Sequence, residues 1–174
     1  MLILSHIGDK FPNYIEDSLT QTRKFYDGDI TFVSNLYDKK LENKYNIKFF
    51  NVDFNNEKFI KSKNINFNKF PSTNFWLYSL ARLFFIEEFV VSNKIEKFVI
   101  YENDIMIYVD LNYIIKLLSK EYKNIAFTIG DDIRATTGFS YFSNYKDLVR
   151  LNDDIMDIIS SPDKMKDIYN NYSS

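Results

Sequence analysis

Two short apolar runs near the start of the chain, Leu2 to His6 (LILSH) and Ile30 to Ser34 (ITFVS), bracket a stretch whose apolar residues recur at helical spacing. Tyr14, Ile15, Leu19 and Phe25 fall on one face of a helix from about Asn13 to Tyr26. A Gly8–Pro12 turn leads into that helix and Asp27-Gly28-Asp29 ends it. Strand, helix, strand in that order predicts a β-α-β unit, which commits the chain to a parallel or mixed sheet with helices on its faces. Ile47 to Val52 reads as a third strand, and Asn55 to Thr73, polar and rich in Asn and Lys, as a loop. Asn74 to Asn93 is apolar nearly all round (Phe75, Leu77, Tyr78, Leu80, Leu83, Phe84, Ile86, Phe89, Val90), so it predicts a largely buried helix. Beyond it, Lys97 to Tyr101 (KFVIY), Ile125 to Ile129 and Thr137 to Ser143 read as strands. Asp110 to Glu121, Lys146 to Ile159 and Asp163 to Tyr172 read as helices. No repeat or long linker divides the 174 residues, so one α/β domain with a mixed, mostly parallel sheet is expected.

Composition removes whole classes of chemistry. There is no cysteine, so a disulfide framework, a thiolate metal site and a cysteine nucleophile are all out. With one histidine, His6, a zinc site built on several imidazoles is not expected. The formal net charge of −2 offers no basic surface for nucleic acid. Thirty Phe and Tyr residues, and only four arginines among 22 basic residues, follow the pattern of A/T-rich codon usage, so the aromatics are expected mostly in the core. The most apolar stretch, Leu80 to Val91, contains Arg82, Glu87 and Glu88, so no membrane span is expected. No secretory leader is visible, and the expected location is a reducing, cytoplasmic compartment (host cytoplasm for a viral chain). The chemistry must come from carboxylates, hydroxyls, amides and a few arginines.

Those groups concentrate at Phe98 to Tyr108 (FVIYENDIMIY), where an apolar strand runs into Glu102 and Asp104. Open α/β sheets bind ligands at the carboxyl ends of their strands. Two carboxylates spaced i, i+2 on an extended turn would present hard oxygens to a divalent cation. Mg²⁺ or Mn²⁺ accepts so few protein ligands when substrate phosphates complete the shell. The same spacing also suits a turn whose acids are solvated or cap the next helix. No Gly-x-x-x-x-Gly-Lys-[Ser/Thr] loop is present, which excludes a P-loop enzyme.

The stretch from Asn74 to Tyr108, an aromatic-rich helix carrying Arg82 followed by a strand ending in Glu-Asn-Asp, resembles the donor-binding segment of GT-A-fold nucleotide-sugar glycosyltransferases. It is most similar to a viral and bacterial branch with a Glu-Asn-Asp form of the acid-x-acid motif. SHIGDKFPNYIEDSLTQTRKF resembles that group's opening strand, turn and helix, and RATTGFSYFSNYKDL its segment lining the sugar pocket. The resemblance spans about residues 2–35 and 74–150. It implies a metal-dependent transferase, a hexosyltransferase by preference, moving a sugar from a nucleoside-diphosphate sugar, UDP favoured, to a hydroxyl of a glycan or other acceptor.

The resemblance assigns Asp104 as metal ligand, with Glu102 on the metal, a metal-bound water or the ribose. Arg82 would reach the diphosphate or sugar, or, as an ordinary surface residue, pair with Glu87 or Glu88. Ser5 and His6 would contact the nucleoside. Thr137 and Gly138 would allow close backbone approach to the sugar, or form a β-bulge. An inverting enzyme needs a carboxylate base near the acceptor hydroxyl, and Asp131 and Asp132 follow Gly130 at a suitable place in sequence order, where a turn or N-cap role is the alternative. The chain departs from the group in having no histidine after His6 and Tyr101 before the motif, and it is short for the group. Part of the acceptor site is therefore expected to be absent or to come from another domain or subunit. A phosphatase or nucleotidyltransferase using the same acids, and a non-catalytic sugar-nucleotide-binding or assembly module, are the competing readings.

Overall fold

In the first strand, β1 (Leu2–His6), Leu2 and Leu4 enter one apolar cluster and Ile3 another, and all three are fully buried. This alternation, repeated along each central strand, decides the architecture, because it gives the sheet two apolar faces that helices must cover. The computed structural model describes residues 1–65, 73–131 and 135–172. The chain continues through α1 (Ile15–Phe25), β2 (Ile30–Ser34), α2 (Lys39–Tyr45), β3 (Lys48–Asn51), α3 (Glu57–Lys63), α4 (Thr73–Ser92) and β4 (Glu96–Glu102). It ends with α5 (Leu111–Glu121), β5 (Ile125–Ile129), β6 (Ala135–Asn144), α6 (Tyr145–Ile159) and α7 (Pro162–Tyr172).

The six strands lie in the order β3-β2-β1-β4-β6-β5. β1 pairs in parallel with β2 and β4, and β2 with β3. β6 is antiparallel to both β4 and β5, so β5 runs with the other four. Leu2, Leu4, Phe32, Val99 and Tyr101 pack with Leu19 of α1, Leu41 of α2 and Leu111 of α5. On the other face Ile3, Val33, Phe98, Ile100 and Phe142 pack with Phe59 of α3, Phe84 and Phe85 of α4 and Leu148 of α6. From β1 the chain steps outward to β2 and β3, then returns to the other side of β1 for β4. The carboxyl ends of β1 and β4 therefore part at a topological switch point, where open α/β sheets form their ligand crevice.

α4 buries Ala81, Leu83 to Ile86, Phe89 and Val90, as its all-round apolar sequence predicts. Its acids are paired, as part-buried charge must be. Glu87 accepts from Lys58 Nζ at 2.8 Å and Asn152 Nδ2 at 2.7 Å, and Glu88 accepts from Asn56 Nδ2 at 3.2 Å. No helix among the described residues is long and apolar enough to cross a membrane.

Two short helices correct the sequence-based expectations. α2 goes unpredicted, although Asp38 caps it by accepting from Lys40 N at 2.7 Å and Asn46 closes it in the left-handed region at φ 49°. α3 occupies part of the stretch expected to be a loop. Asn56 caps it by accepting from Phe59 N at 3.1 Å, and that cap directs Phe59 into the core. Residues 66–72 of that expected loop lie outside the described residues.

Candidate functional site at the ends of β1 and β4

Ser5 and Glu102 are register partners across the β1–β4 pair. By alternation they share a face with Ile3 and Ile100, the face that α4 covers. Arg82 projects from α4 onto this spot. Its Nη2 forms an ion pair with Glu102 Oε1 and donates to Thr137 Oγ1 at 3.4 Å. Glu87 and Glu88, the partners that sequence proximity offers, are engaged elsewhere. Both Arg82 and Glu102 are part-buried, so their pairing satisfies two charges that are only partly hydrated.

Thr137 arrives through a distortion of β6. Phe127 faces Ser140 but Thr128 faces Thr136, so Thr137–Phe139 have no counterpart on β5. The segment is thus the β-bulge that was one of its two expected readings, and bulges beside a site redirect side chains. Within it, Gly138 is buried, and a Cβ there would meet Thr136 Oγ1 at 3.3 Å, Ile105 Cδ1 at 3.5 Å and the Glu102 carboxyl carbon at 3.7 Å. The tight approach is to Thr136 Oγ1, which accepts from Gly138 N at 3.1 Å, while Glu102 would be at ordinary contact distance.

Beyond Glu102 the chain turns sharply, with Ile105 N donating to Glu102 O at 3.1 Å. Residues 105–109 form no strand, and Ile107 is buried with its carbonyl accepting from Gln21 Nε2 at 2.7 Å. Asn103, at the turn's centre, is buried. Its Nδ2 lies 3.4 Å from Ser5 O and 3.2 Å from His6 Nδ1, while its Oδ1 accepts from Tyr14 OH at 3.5 Å. The other ring nitrogen, His6 Nε2, is 2.9 Å from Lys10 O. Asp104 is exposed, and among the described residues its carboxylate has no hydrogen-bond or ion-pair partner. The Tyr14 phenol is held above its usual range, first by partial burial and then by the charges of Asp104 and Glu102.

These groups surround an open cavity of about 450 Å³. Ser5, His6 and Ile7 line it from β1, Tyr78, Ser79 and Arg82 from α4, and Glu102, Asn103 and Asp104 from the turn after β4. The structure thus brings together Ser5, His6, Arg82, Glu102 and Asp104, with Thr137 and Gly138 directly behind. Asp131 is exposed and is not among the lining residues; it follows β5, two strand spacings (about 10 Å) from β4 at the same end of the sheet. Asp132 lies outside the described residues.

Sequence reasoning missed Asn103, Tyr14, Tyr78 and Ser79 as site residues. Tyr78 lies four residues before Arg82 on one helix, a spacing that puts both on the same face and is readable in the sequence. Asn103 is the uncharged middle residue of the Glu-Asn-Asp motif, and its contacts emerge only when the two strand ends are side by side.

Among the described residues no group of three His, Asp or Glu side chains converges as a metal cage. Glu102 is taken up by Arg82 and both His6 nitrogens have partners, which leaves Asp104 as the available hard ligand. This donor set fits Mg²⁺ or Mn²⁺ only as a shared site in which a ligand's phosphate oxygens supply most of the shell.

No family model and no curated protein matches the sequence. Solved structures do match, among them the apo crystal structure of mouse xyloside xylosyltransferase 1. It superposes with a TM-score of 0.61 at 9% identity, over 99% of this chain and 75% of that one. This likeness establishes the architecture. The chain has a glycosyltransferase-like α/β fold.

Proposed function

We propose that the chain is a metal-dependent glycosyltransferase. In this reading it binds a nucleoside-diphosphate sugar, UDP-linked by preference, in the β1–β4 cavity and passes the sugar to a hydroxyl of a glycan or other acceptor. The observation that carries it is the convergence of Arg82, Glu102 and Asp104 at the switch point of a fold shared with a xylosyltransferase. Ser5 and His6 hold the nucleoside side, and Arg82, with Thr137 and Gly138 behind it, faces the diphosphate and sugar. Asp131 or Asp132 serves as base if the transfer inverts.

Electrostatics favours the metal. Arg82 and Glu102 cancel, so Asp104 leaves the cavity floor with a charge of about −1, and a bare diphosphate brought against it meets repulsion. A divalent cation held by Asp104 and the diphosphate would reverse that repulsion and stabilise charge on the departing diphosphate.

Thermal melting tests the reading, using UDP, GDP and their sugar conjugates, each with Mn²⁺ and with EDTA. A ligand at 100 times its Kd stabilises the fold by about 2.7 kcal/mol, a rise of roughly 5–11 °C in Tm for this size. The expected result is a rise that needs both metal and one nucleotide and disappears in Asp104→Asn. No shift with any nucleotide overturns the donor-site reading. A metal-dependent shift without sugar release in the presence of acceptors points instead to a binding or assembly module.

A further inference from the structure

We propose that Asn103 is a positioning residue that makes the two halves of the ligand site one rigid unit. This rests on the donor-site reading and names the group that holds that site together. Asn103 is 8% exposed, and its three contacts reach two other segments, the end of β1 and the start of α1. Nδ2 donates to the Ser5 carbonyl at 3.4 Å and to His6 Nδ1 at 3.2 Å, and Oδ1 accepts from Tyr14 OH at the start of α1 at 3.5 Å. The residue between Glu102 and Asp104 thereby ties the end of β4 to the end of β1 and to the helix that follows it.

The hydrogen-bond directions fix the state of His6. Lys10 O, 2.9 Å from Nε2, can only accept, so Nε2 carries the proton. The Asn103 amide can then donate to the lone pair of Nδ1. The ring packs beside Phe11, 5.7 Å away between ring centroids, and Gly8 leaves it room, since a Cβ there would come within 3.1 Å of Nε2. On the far side Asn35, just after β2, clamps the same loop: Gly8 N donates to its Oδ1 at 3.0 Å and its Nδ2 donates to Gly8 O at 2.9 Å. Side-chain amides following the two strands that flank β1 thus hold the β1–α1 loop in place before any ligand binds. Preorganisation of this kind raises affinity by removing the ordering cost from the binding step.

The single histidine makes the test unambiguous. Long-range ¹H–¹⁵N spectra of the free protein should show one ring with the proton on Nε2. In Asn103→Asp the carboxylate can only accept, so a proton should appear on Nδ1; Asn103→Ala, should it fold poorly, is then not needed to read the contact. In parallel, the Kd for UDP with Mn²⁺ is measured for wild type, Asn103→Asp, Asn103→Ala and Tyr14→Phe. Affinity should weaken about tenfold in both Asn103 variants and less in Tyr14→Phe, which keeps the amide's other two contacts. Wild-type binding with unchanged affinity in a folded Asn103 variant, or a ring protonated on Nδ1 in wild type, overturns the role of Asn103 alone. A wild-type protein that binds no nucleotide overturns the donor-site reading and this role with it.

Discussion

Tyr101 shows how one side chain fixes both local order and a pH limit. Its hydroxyl is fully buried 2.6 Å from Thr22 Oγ1, and Thr22 donates to Ser18 O at 2.8 Å, so Tyr101 is the donor in a two-step chain. Burial pushes its phenol well above the usual tyrosine range. A group that holds its proton more tightly folded than unfolded gives stability that is complete below the unfolded value, about 10, and lost as pH rises beyond it. Tm should therefore fall steadily above about pH 10. Tyr101→Phe should cost about 1 kcal/mol at neutral pH, because Thr22 loses a donor, and should flatten the alkaline decline. Some slope should persist, since burial also raises the Tyr26 phenol. Melting curves from pH 7 to 11 check this, and an alkaline slope identical in wild type and variant would rule it out.

At the scale of elements, the sequence carried the long pieces and lost the short ones. α1, α4 and the strands around β1 are legible because burying their apolar residues outweighs every local alternative. α2 and α3 have seven residues each and bury two apart from their caps, so periodicity is weak and only Asp38, Asn46 and Asn56 mark their ends. The acids after β4 were visible as a motif, but the partner of Arg82 was not. An ion pair between residues 20 apart depends on which face of β4 meets α4, and Thr137 reaches it through a bulge with no clear sequence mark. Arg23 is another such tertiary tie. Its guanidinium donates to Tyr45 O and Gly28 O at 2.7 Å, to Asn46 O at 2.6 Å and to Tyr26 O at 3.3 Å. It thus serves backbone carbonyls at and beyond the carboxyl ends of α1 and α2. Arg23→Ala should cost roughly 2–3 kcal/mol in urea unfolding with an unchanged m value. Arg23→Lys should recover only part of that, because an ammonium cannot span the same fork. A loss below about 0.5 kcal/mol would mean that water replaces these bonds without penalty.

Across the whole molecule, stability should grade from the switch point outward, leaving the site on the firmest part of the sheet and its flanking hairpin on the loosest. β1 has a strand on each side and a helix layer on each face, and Leu2, Ile3 and Leu4 are fully buried. Among the described residues β5 is an edge strand paired only with β6, interrupted by the bulge, and Ile129 at its end is 78% exposed. Local opening is easiest where few apolar contacts are lost and backbone bonds already meet solvent. Native-state hydrogen exchange should therefore find the β1, β2 and β4 amides opening only with global unfolding, and the β5 amides opening at a clearly lower free energy. Nucleotide and metal should protect the segments after β1 and β4, because both line the cavity, and leave β5 nearly unchanged. Equal protection of β5 and β1 in the free protein would contradict the graded picture. Ligand-induced protection spreading into β5 would instead show that the hairpin carrying Asp131 closes on the bound donor, which would bring that carboxylate to the acceptor side of the cavity.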